Sequence, residues 1–118
     1  MMSDDELYSD VIESCFGFSI DGIWEDLLYN HTYLMYKDRI EKFIFIIEKA
    51  MENGILKLAK DGVFLKGSIK DQVELFKKSF PKEESKISDI MFCLDSDNNF
   101  WTPGGGVWIR KDGTEILT

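Results

Sequence analysis

Carboxylates dominate the start of the chain and are the side chains there that could do chemistry. No Lys or Arg occurs before Lys37, so the first 30 residues account for the whole net charge of −8. The acids in this stretch are Asp4, Asp5, Glu6, Asp10, Glu13, Asp21, Glu25 and Asp26. An acidic surface of this kind attracts a basic protein and repels nucleic acid and anionic membranes. We therefore predict a protein partner, and neither nucleic acid nor membrane.

Helical spacing sets these acids on the outer faces of two short helices. Ser3 and Glu6 form a capping-box pattern before the first helix, and Ser19 or Asp21 can cap the second. The acids predicted to contact a partner, called the acidic face below, are Glu6, Asp10, Glu13, Asp21, Glu25 and Asp26. The alternative is an ordinary solvated surface, because acids in a first helical turn complement the helix dipole. That alternative accounts well for the acids up to Glu6 and less well for the later ones.

Other motifs give no enzyme signature. His31 is the only histidine, which excludes metal sites built from several His or Cys, and a structural role at a helix C-terminus is the simpler interpretation. Carboxylate pairs can act as acid and base, but nothing singles out one pair among 22 acids. Cys15 and Cys93 have no metal-ligand spacing and are predicted to be free thiols. We predict no catalytic, cofactor-binding or metal-binding residues and no cofactor.

The segment 95–106 imitates two binding motifs without completing either. Asp95, Asp97 and Asn99 match the start of a calcium loop, but Phe100 stands where that loop needs glycine. The glycines of 104–106 lack the lysine of a phosphate-binding loop and precede a predicted strand. Two interpretations of this loop stay open: an interaction tip with exposed aromatics, or a loop whose aromatics close the edge of the core.

The remaining pattern predicts the fold. Residues 36–53 form the longest helix, with Arg39 on its outer face, and residues 68–80 form another. Strand-like segments are 55–59, 63–65, 90–94, 107–109 and 115–118. Helices followed by strands predict an α+β fold, with N-terminal helices packed on a small C-terminal antiparallel sheet. The 118 residues are predicted to form a single domain, 1–118.

The N-terminal residues lack the pattern of a signal peptide. The apolar runs are also far shorter than the ~20 residues that cross a bilayer. We therefore expect the protein in the cytoplasm.

Two segments, one at the C-terminus and one upstream of it, resemble an uncharacterised bacterial family, a domain of unknown function, and the likeness covers most of residues 1–118. The matching positions are Gly62, Phe64, Leu65, Gly67, Ser68, Gln72, Val73, Phe80, Pro81, Gly106, Trp108, Asp112, Gly113 and Thr118. Leu117 departs from the pattern, which has a tryptophan near this point. Some relatives of this family serve as immunity proteins of contact-dependent or other polymorphic toxin systems. The resemblance implies a cytoplasmic protein that blocks a cognate toxin domain.

The sequence thus favours a non-enzymatic, toxin-immunity-type protein that binds a basic, nuclease-like toxin through the acidic face. One alternative is a small-molecule-binding or catalytic domain with a pocket between helices and sheet, near Trp24, Trp101 and Trp108. Another is a subunit of a homo-oligomer that associates through an exposed apolar patch.

Overall fold

A computed structural model describes residues 2–118 of the chain. The helices are α1 (Asp4–Cys15), α2 (Asp21–Asn30), α3 (Tyr36–Glu52) and α4 (Ile69–Ser79), with a 3-10 turn at Glu84–Lys86. The strands are β1 (Leu56–Lys60), β2 (Val63–Phe64), β3 (Gly105–Ile109) and β4 (Glu115–Leu117). The predicted α+β class is confirmed.

Two hairpins join edge to edge in one antiparallel sheet of order β2-β1-β3-β4. Asp61 and Gly62 turn the first hairpin with φ of 53° and 79°, the left-handed pair that a two-residue hairpin turn requires. The hairpins meet where Leu56 of β1 pairs with Trp108 of β3. The strand-like segments of the sequence correspond to the strands of these hairpins, but the pairing of β1 with β3 joins residues about 50 positions apart and has no local signal.

The predicted strand at 90–94 is wrong. This segment is irregular and makes its backbone hydrogen bonds locally, for example from Leu94 N to the Met91 carbonyl. Phe92 is buried in the core, whereas Ile90 is 87% exposed. A short apolar run cannot distinguish a strand from a loop that inserts a single aromatic side chain.

The core lies between the helices and the sheet and is rich in aromatic rings. Phe43 of α3 is fully buried, and Trp24 of α2 stacks on Phe92 with ring centroids 5.3 Å apart. Trp108 is also fully buried, and its indole Nε1 donates to the Phe18 carbonyl. This bond ties the link between α1 and α2 to the sheet.

The helix caps agree with the sequence except at α2. Ser3 and Glu6 form the complete capping box of α1, and the Ser68 hydroxyl accepts from Asp71 N at the start of α4. The N-cap of α2 is Ile20, without a side-chain cap, although the Ser19 hydroxyl accepts from Asp21 N at 3.3 Å. Neither Ser19 nor Asp21 therefore occupies the cap position predicted for it.

The prediction that Arg39 lies on the outer face of its helix is also wrong, because this side chain is buried. Its guanidinium lies 2.7 Å from Glu84, donates to the Leu34 carbonyl at 3.0 Å and lies over the Trp24 ring. Charge at an outer helical position predicted solvent exposure. The segment after α4 covers this position, and only tertiary packing shows that.

Within residues 2–118, no helix combines the length and apolar character that a membrane span requires.

Candidate functional site

The first helix displays its acids outward, as predicted. Glu6, Asp10 and Glu13 are exposed, while Leu7 and Val11 face the core. Glu6 is already engaged, since its carboxylate accepts from Ser3 N at 3.1 Å, and hydrogen bonds from Ser3 lower its pKa. Glu6 thus serves the end of the helix, while Asp10 and Glu13 lie further along the same face.

Lysines of α3 pair with the acids of the first helical turn. Lys42 Nζ lies 2.6 Å from the Asp4 carboxylate, and Lys49 pairs with Asp5. These lysines are 38 and 44 positions away in sequence. Part of the charge that seems unbalanced in the sequence is therefore balanced in the fold.

The later acids converge where α1 packs on α2. Burial, followed by the negative charges of Asp26, Asp10 and Glu25, raises the pKa of the Cys15 thiol to about 11. Carboxylates of both helices thus surround one buried thiol. The sequence placed these acids on two outer faces, and the packing brings the two faces together.

A groove of about 410 Å³ runs along this junction and carries two exposed aromatic side chains. Phe18 is 68% exposed and Tyr29 is 71% exposed, and both line the groove with Glu25 and Asp26. The sequence pattern did not single out either aromatic residue. Tyr29 lies four residues after Glu25 and so shares its helical face, which was an available signal.

Asp21 belongs to a different surface from the groove. It is half-buried, and burial raises its pKa, with a smaller contribution from Glu25. It lines a cleft of about 530 Å³ between the start of α2, the first hairpin and the loop before β3. Asp21 therefore lines the cleft, whereas Glu25 and Asp26 line the groove.

The cleft beside Asp21 has the location expected for the predicted pocket but not its lining. Trp24 and Trp108 are core residues with 4% and 0% exposure, and no tryptophan lines the cleft. Cys93 lines it, and burial raises the pKa of that thiol too. Within residues 2–118, Cys15 and Cys93 are both free, Cys15 buried and Cys93 half-buried.

Gly104, before β3, and Gly106, within it, are packing residues. A Cβ at Gly104 would lie 2.6 Å from the Ala59 carbonyl oxygen, and one at Gly106 would lie 2.5 Å from Cγ2 of Ile20. Close approach of the backbone to its neighbours thus accounts for glycine at both positions.

The loop at 95–106 combines the two predicted arrangements. Phe100 is 74% exposed, as an interaction tip requires. Trp101 instead packs on Phe80 at 4.6 Å between ring centroids and donates from Nε1 to the Phe92 carbonyl. The Asp95 carboxylate accepts from the backbone of Asp97 and Asn99, so the calcium-like spacing forms a turn.

Together, these features describe a small α+β protein with an acidic, aromatic-bearing groove on its helical side. Residues 51–118 match the family described as "Protein of unknown function, DUF596", and the chain belongs to that family. The match contains the whole sheet and α4 but none of the acidic face.

A solved structure shares the fold. It is an uncharacterized protein conserved in bacteria, from Neisseria meningitidis, with a TM-score of 0.73 and 16% sequence identity. The alignment covers 97% of this chain and 88% of that one, so the likeness includes the N-terminal helices. No curated protein matches the chain.

Proposed function

We propose that this protein is a toxin-immunity-type binding protein that neutralises a cognate, basic, nuclease-like toxin domain through the acidic face. The observation that best supports this proposal is exposed negative charge that is not neutralised by a basic side chain. Glu13 and Glu25 are exposed, and neither forms an ion pair within residues 2–118. Exposed Phe18 and Tyr29 lie on the same helical side.

This combination suits recognition of a basic protein. Aromatic side chains that become buried on binding often provide most of the affinity, while charges around them set specificity and the rate of encounter. A nuclease needs a basic surface to hold phosphates, and carboxylates can occupy such a surface in place of its substrate. Electrostatic steering can raise association to ~10⁸ M⁻¹s⁻¹ at low salt, which suits rapid neutralisation of a toxin.

A toxin-like open reading frame directly upstream of the gene would identify the candidate partner. With that toxin domain purified, stopped-flow association should be fast at low salt and slow steeply as salt rises. The double variant E13Q/E25Q should lower the association rate by about tenfold or more at low salt.

The matched control is E74Q/E115Q, which removes two exposed acids on α4 and β4 that do not line the groove. Its association rate should stay close to that of the wild type. Replacing Phe18 or Tyr29 by alanine should instead speed dissociation, since each removes buried contact area. Equal rates for the wild type and E13Q/E25Q would refute the role of the acidic face.

A second candidate function is small-molecule binding in the cleft beside Asp21. Its volume of about 530 Å³ lies within the range of ligand pockets, roughly 300–1,000 Å³. A Cβ at Gly105 would meet no atom within 4 Å, so Gly105→Leu should fill part of the cleft without disturbing the core. This function would be supported by a metabolite that raises the thermal unfolding temperature of the wild type but not that of G105L. If G105L left binding unaffected, the ligand would bind elsewhere.

A further inference from the structure

Three side chains converge beside the acidic groove in an arrangement that suits a metal ion. Asp10 of α1, Asp26 of α2 and His31, the residue after α2, each offer one ligand atom, and these atoms all lie within 4.8 Å of one another. No local pattern in the sequence indicates this cluster, because Asp10 lies 16 positions before Asp26. A metal site that combines carboxylates with histidine needs only one histidine, so the single histidine of this chain is sufficient.

Two of the ligand atoms are buried without a hydrogen-bond partner. His31 is 6% exposed and its Nε2 has no hydrogen-bond partner within residues 2–118, and the same is true of Asp26 Oδ2. Buried polar atoms are almost always satisfied, since desolvation without a partner costs stability. Asp26 and His31 both belong to the cluster, so a single bound cation there could satisfy both atoms.

The separation of His31 Nε2 and Asp10 Oδ2 fits coordination better than a direct hydrogen bond. His31 Nε2 and Asp10 Oδ2 are 3.5 Å apart, whereas a charge-assisted N–H···O bond spans about 2.7–2.9 Å. Two ligand atoms at about 2.0 Å from a tetrahedral zinc ion lie roughly 3.3 Å apart. The observed separation is therefore close to what a shared ion requires.

The surroundings of Asp26 support the same interpretation. Asn30 donates from Nδ2 to Asp26 Oδ1, which holds the carboxylate so that Oδ2 is left for the cluster. Hydrogen bonds of this kind orient the ligands of metal sites. Asp10 is exposed, so the cluster is open to solvent on one side.

We propose that Asp10, Asp26 and His31 bind one divalent transition-metal ion, for which Zn²⁺ has the best-fitting chemistry. One imidazole nitrogen and two carboxylate oxygens are ligands that Zn²⁺ accepts, and a fourth position would remain for water or a partner's side chain. Ca²⁺ fits poorly, because it needs six or more oxygen ligands. This site goes beyond the proposed function and does not depend on it.

Isothermal titration of chelator-treated full-length protein with ZnCl₂ tests the site without any partner. The wild type should bind one Zn²⁺ per chain, and CaCl₂ should give no comparable saturable binding. D26N and H31Q should each weaken Zn²⁺ binding by about 100-fold or more, since losing even a supporting partner commonly costs 10–100-fold. E115Q removes an exposed carboxylate from β4, outside the cluster and the acidic face, and should bind Zn²⁺ as the wild type does.

Circular dichroism of each variant would distinguish lost binding from lost folding, which matters most for buried His31. D26N is the more conservative change and provides the independent test. A Co²⁺ titration should produce visible absorption bands that D26N lacks. The proposal would be overturned if the wild type showed no saturable Zn²⁺ binding. It would also be overturned if D26N and H31Q bound Zn²⁺ as tightly as the wild type does, since that result would indicate an adventitious ion only.

Discussion

Replacing Gly106 by alanine should destabilise the fold, because one added methyl group would have no room. A Cβ at this position would lie 2.5 Å from Cγ2 of Ile20 and 3.2 Å from Cδ1 of Leu56. Ordinary contacts between such carbons are about 3.5–4.0 Å, so an overlap of about 1 Å must be relieved. Ile20 is 2% exposed and branched at Cβ, so its side chain cannot rotate away.

Two opposing effects set the size of the loss. Overpacking a close-packed core costs about 1–3 kcal/mol. Removing a glycine from a strand returns about 0.5–1 kcal/mol through the lower entropy of the unfolded chain. The net expectation for Gly106→Ala is a loss of about 0–2.5 kcal/mol in the free energy of unfolding, centred near about 1.3 kcal/mol.

Urea unfolding followed by tryptophan fluorescence measures this loss, since Trp24 and Trp108 are buried reporters. With a slope of roughly 1.5 kcal/mol per molar urea, the midpoint should fall by about 1 M. Gly105→Ala is the matched control, because its Cβ would meet no atom within 4 Å, and its stability should equal or exceed that of the wild type. Equal midpoints for G105A and G106A would refute the packing argument.

The remaining predictions concern two buried groups. Arg39→Ala should lower the free energy of unfolding in urea by about 2–4 kcal/mol, because it removes an ion pair and the packing over Trp24. Lys37 is exposed, so Lys37→Ala should cost under ~0.5 kcal/mol. Similar losses in the two variants would contradict the buried role of Arg39. The pKa of Cys15, raised from 9.0 to about 11, means that the folded state retains the thiol proton more tightly than the unfolded state does. The resulting stability is fully present below pH 9 and disappears as pH rises to about 11. Urea midpoints should therefore decline less over that interval in Cys15→Ala than in the wild type, and parallel declines would show that Cys15 contributes nothing.

Local patterns predicted most of the elements. The Ser3 and Ser68 caps and the turn at Asp61-Gly62 fixed element boundaries because each acts through residues within four positions. The prediction of a strand at 90–94 was wrong because the conformation of this segment depends on where Phe92 can insert among other rings. That information is not local.

The same distinction applies to the candidate site. Helical period correctly predicted that Glu13 and Glu25 are exposed. It could not show that Lys42 of α3 pairs with Asp4, or that His31 turns back toward Asp10. Each of these contacts depends on how one helix packs on another, and single-helix periodicity contains no such information.

The short outer strands of the sheet have a consequence for self-association. The edges are β2, with two residues, and β4, with three. Unpaired backbone groups on long, flat edges are the usual template for strand addition and aggregation, and short edges offer few such groups. A second copy or an extended peptide would therefore gain only two or three rungs of hydrogen bonds by lengthening this sheet. Any stable assembly of this protein must depend mainly on contacts between side chains.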